Sequence, residues 1–187
     1  RLQGFAGTSM DAGTGPVDLA EVVQDAVLLT RARWKDEAEA RGAPIELGTD
    51  LDRVPSVEGQ AAALREAVMN LILNAVDAMP RGGRLGLTLR RVDDGVELHV
   101  SDAGEGMPED VRRRIFDPFF TTRAPHRTGL GLSVVHGVVN RHRGSVRVRS
   151  AHGGGTIVTL WIPVSAGRPA EWRRAGPCRA PMRRGRG

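Results

Sequence analysis

Four polar residues in the stretch EAVMNLILNAVDAM, namely Glu66, Asn70, Asn74 and Asp77, recur at steps of four, four and three. At about 100° per residue they fall within about 80° of one another on a helix, with Leu64, Val68, Leu71, Ile72, Ala75 and Met79 on the opposite side. One face is core and the other is carboxamide and carboxylate. Solvated helix faces are the ordinary home of polar residues at this spacing, but they are built of Lys, Glu, Arg and Gln, and each mid-helix Asn costs around half a kcal/mol of helix propensity. Oxygen ligands in a row suit Mg²⁺, a hard cation that keeps several waters and takes phosphate oxygens as partners. The spacing leaves a metal or phosphate role and a plain solvated face both open.

Two glycine-bearing stretches follow, of which the second is a further phosphate candidate. DAGEGMPEDV, residues 102 to 111, sets Asp102 at the end of a strand pattern, follows it with Gly104 and Gly106, and opens a short helix. Glycine there allows a positive φ or a close approach, although such runs beside a carboxylate also make ordinary turns. In TGLGLSVVHGVVNRH the chain turns into a helix around Gly129, Leu130, Gly131 and Leu132, so exposed N–H groups and the positive end of the helix dipole converge where an anion would bind. The same glycines serve a tight turn equally well. Just upstream, Thr121, Thr122, Arg123, Arg127 and Thr128 offer hydroxyls and guanidinium groups among few apolar anchors, the composition of a lid over a phosphate chain.

The elements that must position these groups alternate between α and β. Residues 17 to 41 read as an amphipathic helix capped by Asp18, with Val22, Ala26, Leu29, Arg33 and Ala40 in its pattern and Gly42 at its end. PIELGTD reads as a strand and Val54 to Val57 as a short second one. A longer helix runs from about Gln60 to Met79 and stops at PRGG. RLGLTLRRV and GVELHVSDA alternate as two strands of a hairpin joined by DDG. A short helix near 108 to 114, a helix from Leu130 to about His142, and the strands SVRVRS and TIVTLWIP complete the order. The economical architecture is an α+β two-layer sandwich, a mixed and mostly antiparallel sheet covered on one face by three helices.

Composition narrows the classes. With 187 residues and 40% apolar side chains, the chain suits one domain with a tail. Its net charge of +5 is local: residues 168 to 187 hold seven Arg and one Glu, leaving 20 basic against 21 acidic side chains in the rest. The globular part is near neutral, so no nucleic-acid partner is expected, and an Arg/Pro/Gly-rich tail reads as a solvated end. The single Cys178 excludes an internal disulfide framework and a cysteine zinc cluster, and fits a reducing, cytoplasmic setting. No apolar run approaches the ~20 residues of a membrane span, and no signal peptide is legible at the N-terminus.

NLILNAVDA, DAGEGM, FDPFFTTR, TGLGLSVV and GGGT stand in the order and spacing of the N, G1, F, G2 and G3 boxes. On these motifs residues 15 to 164 resemble the catalytic ATP-binding domain of bacterial sensor histidine kinases, and the wording is most similar to the nitrogen-regulation type. The resemblance implies a Bergerat ATP-binding fold, ATP as the nucleotide, Mg²⁺ as the metal and two-component signal transduction as the setting. It implies that Asp102 accepts a hydrogen bond from the adenine exocyclic amine, with Thr156 helping through water, and that Gly104 and Gly106 let backbone pass close to the nucleotide. Asn74 with Asn70 would hold the metal, with Asp77 beside them. The N–H groups around Gly129, Leu130, Gly131 and Leu132 would cradle the phosphates, joined by the lid hydroxyls of Thr121, Thr122 and Thr128. Phe116 and Phe119 would anchor the lid in the core. Asn70, Arg123 and Arg127 are the candidates for catalytic roles, since phosphoryl transfer needs mostly positioning and charge neutralisation.

Two departures qualify the resemblance. Arg127 stands where the family has the first glycine of its G2 box, and the lid is short. None of His99, His126, His136, His142 or His152 lies in the His-Glu-x-x-x-Pro context of a phosphoacceptor. RLQGFAG resembles the last turn of a dimerisation hairpin, so residues 1–14 are expected to be a remnant of it, 15–166 the ATP-binding domain and 167–187 a disordered tail. The expected partners are ATP and ADP, the dimerisation and phosphoacceptor hairpin, and a response regulator downstream. The fragment itself is expected to be a monomer that binds nucleotide without turnover. Two other readings stay open. An ATPase of the topoisomerase, chaperone or mismatch-repair type would need a glutamate base where Asn70 stands, and an amide cannot accept a proton from water at neutral pH. A nucleotide-sensing module would bind without catalysis.

Overall fold

A computed structural model describes residues 13–120 and 131–164. The expected remnant up to residue 12, the segment 121–130 and the tail from residue 165 lie outside the described residues. Strand β1 (Gly15–Val17) leads into α1 (Leu19–Leu29), which Asp18 caps by accepting the Ala20 N–H at 2.8 Å. Regular helix ends at Thr30, whose buried hydroxyl donates back to the Ala26 carbonyl at 2.7 Å and competes with the backbone ladder. A π-helical turn (Ala32–Asp36) follows, and then α2 (Glu37–Ala40). The single helix expected over 17 to 41 is therefore broken. The inward positions fall at 22, 26, 30, 34 and 38, steps of four that drift about 40° each on a regular α-helix, and the wider π turn absorbs the drift. Leu29 and Ala40, placed in the amphipathic pattern from sequence, are exposed, while Thr30 and Ala38 are buried.

Strand β2 (Ile45–Leu51) and the short β3 (Val57–Gly59) precede α3 (Ala61–Ala78). The strand expected at Val54 to Val57 thus lies farther along, because β3 is defined by antiparallel pairing with the distant β1, which sequence did not suggest. Helix α3 buries Leu64, Val68, Leu71, Ile72 and Ala75 along one stripe and ends at Met79, where Pro80 cannot continue it. Strands β4 (Gly83–Val92) and β5 (Gly95–Asp102) form the expected hairpin, with Asp93 at φ +50° in its turn. Helix α4 (Glu109–Arg112), helix α5 (Gly131–Arg141) and strands β6 (Ser145–Ser150) and β7 (Thr156–Pro163) follow.

The main sheet has the order β2-β4-β5-β7-β6, with β2 parallel to β4 and the other pairs antiparallel. Its inner face carries Leu85, Leu87 and Leu89 of β4, Val96, Leu98 and Val100 of β5, and Val158, Leu160 and Ile162 of β7, all buried in one core with α1, α3 and α5. Each such side chain contributes roughly 1.5–3 kcal/mol on leaving water. Helix α3 is central and touches α1, α5, β4 and β5. This is the expected α+β two-layer sandwich. The outer face is polar: Glu97 pairs with Arg147 at 2.5 Å and with His99 at 3.2 Å, and His99 meets Thr159 at 3.0 Å.

Candidate functional site

The polar stripe of α3 does not face open solvent. It forms one wall of a cavity of about 1060 Å³, at the upper end of the ~300–1,000 Å³ usual for small-molecule sites. Glu66, Asn70, Asn74 and Asp77 all line it. Gly131 and Leu132 at the start of α5 stand across from the asparagines: a Cβ added to Gly131 would lie 3.4 Å from Asn74 Nδ2 and 3.5 Å from Asn70 Oδ1. An alanine methyl there would just touch both amides in ordinary van der Waals contact. Asn74 Nδ2 is buried and has no hydrogen-bond partner among the described residues. The two ends of an amide are isosteric, so rotation about χ2 brings the oxygen to the same spot, and a buried amide without a partner is costly unless something is to be bound there.

The opposite wall is built at the ends of β5 and β7, where Asp102 and Thr156 are direct register partners. The Asp102 Oδ1 accepts the Gly104 N–H at 2.9 Å, which folds the chain back at the end of the strand. The loop that follows crosses the β6–β7 loop closely. Glu105 N–H donates to the Ala78 carbonyl at 3.0 Å, and Gly153 N–H donates to the Glu105 carbonyl at 2.6 Å. Gly106 has φ +64°, and a Cβ there would lie 1.9 Å from the Ala151 carbonyl oxygen. Gly106 lines the cavity. Gly104 is not among the lining residues, and a Cβ on it would lie 2.3 Å from the Ala78 carbonyl oxygen, so it is held against the end of α3.

Asp77 is only partly committed to the cavity, because Arg33 of the π turn donates to its Oδ1 at 3.0 Å. Phe119 is 75% exposed with φ +66°, which corrects the expectation that it anchors a lid in the core. Phe116 is half-buried and packs its ring against His136 at 5.3 Å, while Phe120 lines the cavity under the Arg114 guanidinium. Thr121, Thr122, Arg123, Arg127, Thr128, Gly129 and Leu130 lie outside the described residues. Sequence reasoning missed Arg81 and His152 as lining residues, for Arg81 stands in a loop without a motif and His152 just ahead of GGGT.

Among the described residues the cavity carries four carboxylates, Glu66, Asp77, Asp102 and Glu105, against one guanidinium, Arg81. No group of three His, Cys, Asp or Glu among the described residues could hold a metal by itself. A metal at the asparagines would therefore need further ligands from a bound phosphate chain, which is how Mg²⁺ is usually held. The unpartnered amide of Asn74 and the oxygen-only donor set fit that ion.

An α/β sandwich with an Asn-lined helix over a cavity, closed by a strand-end aspartate and two glycine loops, defines a class, and residues 59–166 match the family of histidine kinase-, DNA gyrase B- and HSP90-like ATPases. The chain belongs to that family. Within it, the chain is the catalytic ATP-binding domain of a histidine kinase. It is 39% identical over 117 residues to the sensor histidine kinase ZraS of Escherichia coli (strain K12), an alignment covering 63% of this chain and 25% of ZraS. Among solved structures, the mycobacterial sensor histidine kinase MprB superposes with a TM-score of 0.69 at 32% identity, over 81% of this chain and 97% of that one. Full-length ShkA in complex with AMPPNP gives a TM-score of 0.70 at 28% identity, over 84% of this chain and 32% of that one. The chain thus spans about a quarter of the length of the curated relative. Among the described residues no helix is long and apolar enough to cross a membrane.

Proposed function

We propose that this chain binds Mg²⁺·ATP in the cavity between α3 and the ends of β5 and β7, and donates the γ-phosphoryl group to a histidine on a dimerisation hairpin, from which it passes to a response regulator. The observation that carries the reading is the pairing of two amides on one face of α3, Asn70 and Asn74, with Asp102 and Thr156 across a single cavity. The ShkA structure bound to AMPPNP supports an adenine nucleotide as the ligand.

In this reading Asp102 accepts from the exocyclic amine of adenine and sets the base at one end. Asn74, with Asn70, holds Mg²⁺ at the other end, where the ion supplies charge neutralisation for the phosphates. Gly131 and Leu132 leave room for the phosphate chain beside the amides. Arg123 and Arg127 are assigned to the charge that develops on the transferred group. Asn70 stands where a related ATPase would carry a proton-accepting glutamate, so water is not activated and the phosphoryl group waits for the hairpin. Residues 15–166 are taken as the functional unit.

Calorimetric titration of ATP and ADP, each with and without Mg²⁺, tests the binding half, with tighter ATP binding in Mg²⁺ expected. γ-Labelled ATP incubated with the chain and a separately supplied hairpin tests transfer. Acid-labile label should appear on the hairpin histidine alone. Steady phosphate release without the hairpin, above about 1 s⁻¹, would replace the kinase reading with an ATPase.

A further inference from the structure

The apolar inner face of the sheet ends in a single polar row. Asp102 of β5 is the register partner of Thr156 of β7, which is in turn the register partner of Ser150 of β6. The rows behind it, Val100–Val158–Val148 and Leu98–Leu160–Val146, are wholly apolar. Asp102 and Thr156 line the cavity, whereas Ser150 stands behind Thr156 and does not.

The Ser150 hydroxyl has three neighbours. It accepts the Met107 N–H at 2.9 Å, donates to the Gly155 carbonyl at 3.0 Å, and lies 2.9 Å from Thr156 Oγ1. A hydroxyl owns one proton and two lone pairs. The Met107 amide can only donate and the Gly155 carbonyl can only accept, so the Ser150 proton and one lone pair are committed. All three contacts are hydrogen bonds at once when a lone pair of Ser150 faces Thr156 and Thr156 donates its own proton to Ser150. Thr156 then offers only lone pairs to the cavity, beside the Asp102 carboxylate, whose Oδ1 accepts the Gly104 N–H.

We infer that Ser150 is a positioning residue for base selection. By fixing Thr156 as an acceptor, it makes the Asp102–Thr156 wall admit an exocyclic 6-amino group, whose two N–H bonds can meet two acceptors, and refuse a carbonyl oxygen at that same exocyclic position. The distinction is that between a 6-amino and a 6-oxo purine. The inference rests on the reading of this cavity as the base site of a nucleoside triphosphate. Ser150 acts through Thr156 and touches no ligand. Because its other two bonds come from the loops after β5 and β6, the crossing of those loops sets the polarity of the wall.

The test compares calorimetric affinities for ATP and inosine triphosphate, both with Mg²⁺. The unmodified chain should prefer ATP. Ser150→Ala frees the Thr156 hydroxyl to turn its proton into the cavity, and the ATP preference should fall by about fivefold or more. Ser150→Cys keeps the shape with a poor hydrogen-bonding group and should lower the preference too, whereas Ser150→Thr keeps the hydroxyl and should retain it. Thr156→Val should lower the preference as far as the double variant Ser150→Ala/Thr156→Val does, since the two side chains act as one unit. If the Ser150 variants weaken ATP and inosine triphosphate equally, Ser150 only holds the loops and the inference fails alone. An unmodified chain that binds both nucleotides equally overturns the inference alone, and one that binds neither overturns the reading of the cavity together with it.

Discussion

The Nε2 of His142, just past the end of α5, accepts the backbone N–H of Gln60, the residue that opens α3, at 3.0 Å. An amide N–H can only donate, so Nε2 carries no proton, and Nδ1 carries the one that it donates to the Val138 carbonyl at 2.8 Å. The two helices that face each other across the cavity are thus tied at the end remote from it. Gly59 makes room for the ring, since a Cβ there would lie 2.3 Å from His142 Cδ2.

His142→Ala should destabilise the chain by about 2–4 kcal/mol, through the void left by a buried ring and the orphaned Gln60 amide. Urea unfolding followed by far-ultraviolet dichroism measures it. A loss within about 0.5 kcal/mol would show that solvent replaces the ring without penalty.

Asp102→Asn should weaken ATP binding at least about tenfold while leaving the melting temperature nearly unchanged. The carboxylate only accepts, whereas the amide can turn a donor toward the base amine, a mismatch that costs ~1–3 kcal/mol. An affinity held within about twofold, which is ~0.4 kcal/mol, would move the base elsewhere.

Asn74→Ala should abolish the gain in ATP affinity that Mg²⁺ confers and stop transfer to a supplied hairpin. Asparagine offers one carbonyl oxygen to the ion and alanine offers none. If Mg²⁺ strengthens ATP binding to the variant as much as before, Asn74 is not a ligand.

Gly155 and Gly153 both have positive φ, +74° and +73°, but a Cβ on Gly155 would lie 2.1 Å from the Asp102 carbonyl oxygen and one on Gly153 would meet nothing within 4 Å. Gly155→Ala should therefore cost about 2 kcal/mol or more, and Gly153→Ala about 1 kcal/mol. Equal losses in thermal melts would mean that backbone conformation alone matters at both sites.

Glu109 accepts from Arg112 Nε at 2.9 Å and from Arg113 Nε at 3.0 Å, and these bonds, Arg112 first, hold its carboxyl below the ordinary range. A lowered folded-state pKa means that the ion pairs support α4 above the ordinary carboxyl range and are lost as pH falls through the lowered value. A carbon-13 titration of the Glu109 carboxyl should show a midpoint below that of an unfolded chain, and Arg112→Gln should raise it. A midpoint that stays put in the variant would show that Arg112 is not the cause.

The long periodic elements were legible because their partners are the core as a whole. Helix α3 repeats its stripe over 18 residues, and the β4–β5 hairpin announces itself by alternation around Asp93. The break in the first helix was not legible, since it turns on one hydroxyl, that of Thr30, choosing the Ala26 carbonyl. Strands β1 and β3 were missed or shifted because three residues carry no period and the pair is joined only through space. In the site, the polar stripe and glycine loops signalled a phosphate ligand, but the alignment of Asp102, Thr156 and Ser150 is a register relation among three strands. A serine at the end of SVRVRS reads from sequence only as a strand stop.

The parallel pairing of β2 with β4 sets an order of assembly. The β4–β5 and β6–β7 hairpins close short loops, whereas β2 can meet β4 only after a crossover that carries β3 and all of α3. The hairpins should therefore form early and the β2 edge last, so that α3, with its two costly asparagines, is held by the hairpins and not by its own propensity. In stopped-flow refolding, Leu98→Ala on β5 should slow folding, while Ile45→Val on β2 should leave the folding rate nearly unchanged and speed unfolding. The reverse pattern would place the parallel edge in the nucleus, and α3, carried in its crossover, would then be ordered before the hairpins.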